Sequence, residues 1–142
     1  MGKRSAEPWP AMPFDAYLRP IVTARATDAV DEVRRQLRRL GPAGHPLDGV
    51  ALVGPDGDFL ADLSLFDLVT SSAGLLVGSL AFDSTDVHVR LDQSVNETVL
   101  TLLDAQRRSL VVVDDTGRPV GRVHAVDLVN HLRPRRRVRW SS

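Results

Sequence analysis

A chain of 142 residues, 43% hydrophobic and 25% charged, is long enough to bury one substantial core and too ordinary in composition to be disordered. Lys plus Arg and Asp plus Glu are 18 each, so a net charge of zero argues against nucleic acid as the main partner. The absence of cysteine excludes disulfides, thiolate nucleophiles and Cys-ligated zinc, and a reducing, cytoplasmic setting is the expectation.

Residues 1–13 carry Pro8, Pro10 and Pro13 among small and charged residues and read as an extended arm. They lack the apolar core of a signal peptide, and no segment approaches the ~20 apolar residues of a membrane span, so a soluble protein is expected. Phe14 to Leu18 makes a helical turn before Pro20, and Ile21 to Ala24 a short strand. A long helix follows, capped by Thr27 or Asp28. It buries Val30, Val33, Leu37 and Leu40, turns Arg34, Arg35, Arg38 and Arg39 to water, and ends at Gly41 and Pro42.

The next stretch, Val50 to Val69, reads strand, turn, strand, helix, and so does Leu110 to Val129. The two align without a gap, matching at Val53/Val113, Gly57/Gly117, Asp67/Asp127, Leu68/Leu128 and Val69/Val129. Between them, Thr70 to Asp86 is a linker with a small apolar helical piece, followed by a strand at Val87 to Val89. A helix from Ser94, with Glu97 completing a capping box, buries Val95, Val99, Leu102 and Leu103. Here the alignment offset is 65, with Val22/Val87, Arg25/Arg90, Val30/Val95 and Glu32/Glu97 coinciding. It falls to 60 because the first copy inserts five residues within GPAGHPLDG. The chain is an internal duplication.

A unit of about 45 to 60 residues buries too little surface to be stable alone, so two copies must share a core. Strands that are continuous apolar runs need cover on both faces, from their own helices and from the sister sheet. The expected fold is therefore α/β: two β-α-β-β-α repeats related by a pseudo-twofold, sheets packed together, helices outside, with two clefts at the junction. The expected boundaries are residues 14–72 for the first repeat, 73–132 for the second with the linker, and 133–142 for an arginine-rich tail.

The duplicated turn VVVDDTGRPVGRV, followed by Ser/Thr-x-x-Asp as Ser64-Leu-Phe-Asp67 and, altered, as His124-Ala-Val-Asp127, resembles a tandem pair of CBS domains, the Bateman module. The long first-half loop, LADLSLFDLV and the linker length look most like the cytosolic CBS pair of MgtE-type magnesium transporters. The resemblance implies a non-catalytic regulatory module that binds AMP, ADP, ATP or S-adenosylmethionine and signals to a partner, most simply as a homodimer. It implies that Asp67 and Asp127 hold ribose hydroxyls, that Ser64 and His124 stand at phosphate, and that Val22, Thr23, Thr85, Val87, Arg107 and Arg108, with Leu47 and Asp48, line the base and phosphate.

The chemistry of the residues fits this, and a plainer reading stays open beside it. An aspartate accepts from both hydroxyls of a ribose, and the first turn of a helix offers free N–H groups to a phosphate. Ser64 and Asp67 also satisfy an ordinary helix cap, and Asp127 suits the helix dipole with no ligand. Arg107 and Arg108 are expected to serve the second cleft, where His124 puts the phosphate subsite in doubt. Leu47 and Asp48 are expected in the first, where the acid repels phosphate, so at most one tight nucleotide per chain is expected.

Two metal readings rank lower. His124, Asp127 and His131 share helical spacing, and Asp114/Asp115 or Asp83/Asp86 offer oxygen ligands to Mg²⁺, although turn chemistry accounts for most of these aspartates. The tail, with Arg133, Arg135, Arg136, Arg137 and Arg139, reads as solvated or as touching an anionic surface. No nucleophile motif or P-loop is present, so no catalysis is expected. The alternatives to nucleotide binding are a Mg²⁺-responsive module and a structural module whose clefts its own side chains fill.

Overall fold

In a computed structural model that describes residues 14–41 and 48–132, the two halves fold as the same unit. The first runs β1 (Thr23–Arg25), α1 (Val30–Leu40), β2 (Gly49–Val53), β3 (Phe59–Ser64) and α2 (Leu65–Thr70). The second runs β4 (His88–Arg90), α3 (Val95–Ala105), β5 (Ser109–Val113), β6 (Pro119–His124) and α4 (Ala125–Leu132). Each half makes a three-stranded sheet, β1-β2-β3 or β4-β5-β6, parallel in its first pair and antiparallel in its second.

Register repeats as faithfully as order. Thr23 pairs with Ala51 as His88 pairs with Val111, so the offset changes from 65 to 60 between α1 and β2, where the sequence places the insertion. Both antiparallel pairs shift register at the same point, Leu52/Val53 and Val112/Val113. Gly57 and Gly117 turn the two hairpins with φ of +84° and +86°, a conformation that a side chain rarely adopts.

Every residue of β2 and β5 is buried, as strands covered on both faces must be. On one face of the first sheet, Val30, Val33 and Leu37 of α1 and Leu68 of α2 join Val50, Leu52 and Leu63 in one core. Val95, Leu102 and Leu128 do the same for the second. A third cluster, Ala51 with Val111 and Val113, flanked by Ile21 and Phe59, takes residues from both halves: the sheets meet there. Phe59 N–H also donates to Gly117 O at 2.8 Å, and its ring stands edge-on to His88 at 5.4 Å.

The segments that precede the first strand of each half cross over to the other half. Arg19 forms a two-way backbone bridge with Arg122 of β6 (2.9 and 3.0 Å), and Thr85 O accepts from Asp62 of β3 (2.8 Å). This exchange makes the two halves one folding unit.

Four details depart from expectation. The N-cap of α1 is Ala29, without a side-chain bond; Asp28 instead accepts from Arg25 N–H, and the free N–H of Val30 is satisfied by Leu75 O of the linker. The linker is therefore structural, and its Val77 is fully buried in the first core. Arg34 does not face water: its guanidinium donates to Leu68 O (2.9 Å) and Ser71 O, closing the carboxyl end of α2. Leu103 is exposed, because α3 buries Val95, Thr98 and Leu102, the Thr98 hydroxyl being satisfied by Ser94 O at 2.9 Å. The proline arm, Leu47, the arginine tail and the side chains of Asp83 and His131 lie outside the described residues. Among those described, no helix is long and apolar enough to cross a membrane.

Candidate functional site

The strand-helix turns β3–α2 and β6–α4 carry the paired motifs, and each faces segments of the opposite half. Ser64 is the N-cap of α2, its Oγ accepting from Asp67 N–H at 3.1 Å, so the capping role read from sequence is realised. Its hydroxyl proton stays available to a further acceptor. Beside it lie Gln106, Arg107, Arg108 and Ser109, the residues leading into β5, and together with Asp48, Leu65 and Phe66 they line an open depression of about 370 Å³. That volume lies within the roughly 300–1,000 Å³ of small-molecule sites.

This departs in part from the expected pairing of loops with clefts. The residues before β5 belong to the second half, yet Arg107 and Arg108 line the depression at Ser64, while Arg108 O also accepts from Ala125 N–H (2.8 Å) at the second motif. Asp48, before β2, lines the same depression, as expected, and its Oδ2 is also 3.5 Å from His124 Nδ1. The cause is the crossover of the two halves, which a one-dimensional alignment does not display.

The seam beneath is polar and closed. Arg122 reaches Asp62 with Nη2 at 2.5 Å from Oδ1 and Nη1 at 3.1 Å from Oδ2, a bidentate pair with 3% and 0% of the two side chains exposed. Arg107 adds a third bond to the same carboxylate, 3.1 Å to Oδ2. Ser109 Oγ accepts from Arg122 at 3.0 Å and donates to Asp48 Oδ2 at 2.7 Å. Gly49, the counterpart of Ser109, leaves the room this requires: a Cβ there would stand 2.4 Å from Leu63 O and 3.0 Å from Asp62 Oδ1. Arg107 and Arg108 bring two guanidiniums to the depression, and Asp48 lines it with one carboxylate.

The two motif aspartates are in different states. Asp67 is half-buried, and among the described residues no side chain pairs with its carboxylate. Asp127 is held by Arg19, Nε at 2.8 Å from Oδ2 and Nη2 at 2.7 Å from Oδ1. That bond is the largest cause raising the Arg19 pKa above its ordinary value, and the Asp127 charge, after burial, raises that of Tyr17. His124 is 5% exposed, its Nε2 buried with no hydrogen-bond partner among the described residues. Burial holds its pKa below 6.5, with Arg122 and Arg19 acting in the same direction and Asp48 and Asp127 opposing.

Of the remaining candidates, Val22 is buried in the first core and presents nothing to a ligand, while Thr23 is exposed on β1. Thr85 is half-buried, its Oγ1 accepting from Val87 N–H at 3.2 Å, and Val87 is exposed. The Asp114 carboxylate accepts from Thr116 N–H and Oγ1 and from Arg118 N–H, bonds that lower its pKa and close its own turn. Among the described residues no three acidic or histidine side chains are grouped to hold a metal. Arg19, Asp62 and Arg122 were not candidates from sequence; their only mark was that positions 62 and 122 align and carry opposite charges.

Known proteins bear on this geometry. The CBS domain family model matches residues 77–134. The magnesium transporter MgtE of Thermus thermophilus is 32% identical over 111 residues, 78% of this chain and 24% of the transporter. The chain thus spans about a quarter of that relative. The crystal structure of the cytosolic domain of the Mg²⁺ channel MgtE in complex with ATP is 31% identical with a TM-score of 0.70, covering 79% of this chain and 45% of that one. CBSX2 in complex with AMP has a TM-score of 0.67 at 17% identity, covering 88% and 99%, and shares the fold. With two β-α-β-β-α halves packed sheet to sheet and these similarities over most of its length, the chain belongs to the CBS domain family as a tandem pair, similar to that of the MgtE cytosolic domain.

Proposed function

We propose that this CBS pair is a non-catalytic regulatory module that binds an adenine nucleotide in the cleft of its first-half motif and passes occupancy to a partner. The observation that carries the reading is the convergence of Ser64, Arg107 and Arg108 on one depression, with the carboxylate of Asp67, unpaired among the described residues, on the adjoining turn. Arg107 and Arg108 beside the Ser64 hydroxyl suit the phosphates of AMP, ADP or ATP, which S-adenosylmethionine lacks. Asp67 then takes the ribose hydroxyls, and Thr85 and Val87, on the segment crossing to β3, border the base. The ATP bound by the MgtE cytosolic domain and the AMP bound by CBSX2 support this ligand class.

Ligand contacts from both halves favour one relative orientation, which a partner reads as a shift in population. A homodimer suits the apolar residues exposed at matching positions of α2 and α4, Phe66 with Val126 and Val69 with Val129. The repeats are taken as residues 14–72 and 73–132, and the setting as cytoplasmic.

Calorimetric titration of the full chain with AMP, ADP, ATP and S-adenosylmethionine tests the reading. A phosphate-bearing nucleotide binding at one site, with affinity lost at least 10-fold in Asp67→Asn, supports it; no binding, or affinity unchanged in that variant, overturns it. Thermal stabilisation by millimolar Mg²⁺ alone would favour the metal-responsive alternative.

A further inference from the structure

We infer that Arg19 is a built-in plug that keeps the second-half cleft closed to nucleotides, so that a module duplicated in fold offers one site in place of two. The inference rests on the nucleotide reading above and concerns why only one of two motif aspartates is used.

The plug is made by a difference between equivalent positions. Arg19 bridges Arg122, and at the equivalent place in the first half Thr85 bridges Asp62, so Thr85 is the structural counterpart of Arg19. Thr85 is short, and its hydroxyl oxygen accepts from Val87 N–H; among the described residues no side chain of that segment bonds Asp67. Arg19 is long, and its guanidinium fork takes both oxygens of Asp127 in a bidentate pair. The two acceptors that a ribose diol would need are therefore already occupied.

The backbone is shaped to deliver this side chain. Arg19 is fixed by its two-way bridge to Arg122, and β6 carries Gly121 where β3 carries Ala61. A Cβ on Gly121 would stand 3.0 Å from Arg19 O and 3.2 Å from Leu18 Cβ, so the missing side chain lets the segment lie close.

Because Arg19 is partly exposed, its side-chain contact can be removed while its backbone bridge is kept. The test is the stoichiometry of AMP binding to the full chain by calorimetry, for the wild type, for Arg19→Ser and Arg19→Gln, and for Arg19→Ser/Asp127→Asn. One AMP per wild-type chain, two in either folded single variant and one again in the double variant establish the plug. Two in the wild type, one in both single variants, or two in the double variant overturn it and leave the first-cleft reading standing. Binding in Arg19→Ser but not in the wild type keeps the plug and overturns the assignment to Asp67. No AMP on any form overturns both.

Discussion

Asp62 and Arg122 occupy the same position in the two repeats, and they meet each other. Their separation of 60 residues is the repeat offset itself, and the bidentate contact between them is buried to within 3% on both sides. A pair formed across a pseudo-dyad by equivalent positions must be unlike to attract, so this one discriminates. First half on second half buries an ion pair, whereas first on first or second on second would bury like charges.

Removing Asp62 leaves the buried Arg122 charge without its carboxylate, whereas removing Arg122 leaves Asp62 the Arg107 guanidinium at 3.1 Å. Asp62→Ala should lower stability by about 3–5 kcal/mol in denaturant unfolding and Arg122→Ala by less, while replacing both by apolar residues of similar volume should cost less than the sum of the two. Losses for the double replacement that equal the sum of the singles would show that the two residues act independently.

The clearance at Gly49 is a consequence of that pair. Gly49→Ala places a methyl 2.4 Å from Leu63 O, a backbone atom, with Asp62 and Arg122 on the other side. We expect a loss of about 1–3 kcal/mol from overpacking, read by thermal or chemical unfolding. Gly74, where nothing lies within 4 Å, should accept alanine with no measurable loss.

His124 predicts a pH dependence. Burial lowers its folded pKa below the 6.5 of the free side chain, so the unfolded chain binds the proton more readily. Stability contributed by the neutral ring is present above pH 6.5 and declines as pH falls from there toward the folded value. His124→Gln should flatten that part of the stability profile; an unchanged profile would place the titration elsewhere.

Ser64 and Ser94 separate capping from binding. Both accept from the N3 backbone N–H at 3.1 Å, but only Ser64 lines the depression. Alanine at either should cost about 1 kcal/mol of stability. Nucleotide affinity should fall for Ser64→Ala and stay the same for Ser94→Ala, as measured by titration.

Much of the fold was legible because duplication let each half check the other. The 65-to-60 offset located the loop, Gly57 and Gly117 marked the hairpins, and the apolar runs at Val50 and Leu110 implied two covered faces. What escaped was set by contacts between the halves. The cap of α1 was missed because Leu75 O supplies it from the linker. Arg107 and Arg108 were read with the second motif alone, although the segment leading into β5 also lines the depression at Ser64, and Arg19 was missed because an arginine beside a proline carries no local sign of a target 108 residues away.

The central claim, that the first-half motif is the nucleotide site and the second is closed from within, is tested most directly by amide chemical shifts during an ATP titration of the ¹⁵N-labelled full chain. The account predicts saturable shifts at the amides of Ser64 to Leu68 and at Arg107 and Arg108, with Val126 to Leu128 unmoved. Saturable shifts centred on Asp127, or none at either motif, would contradict it.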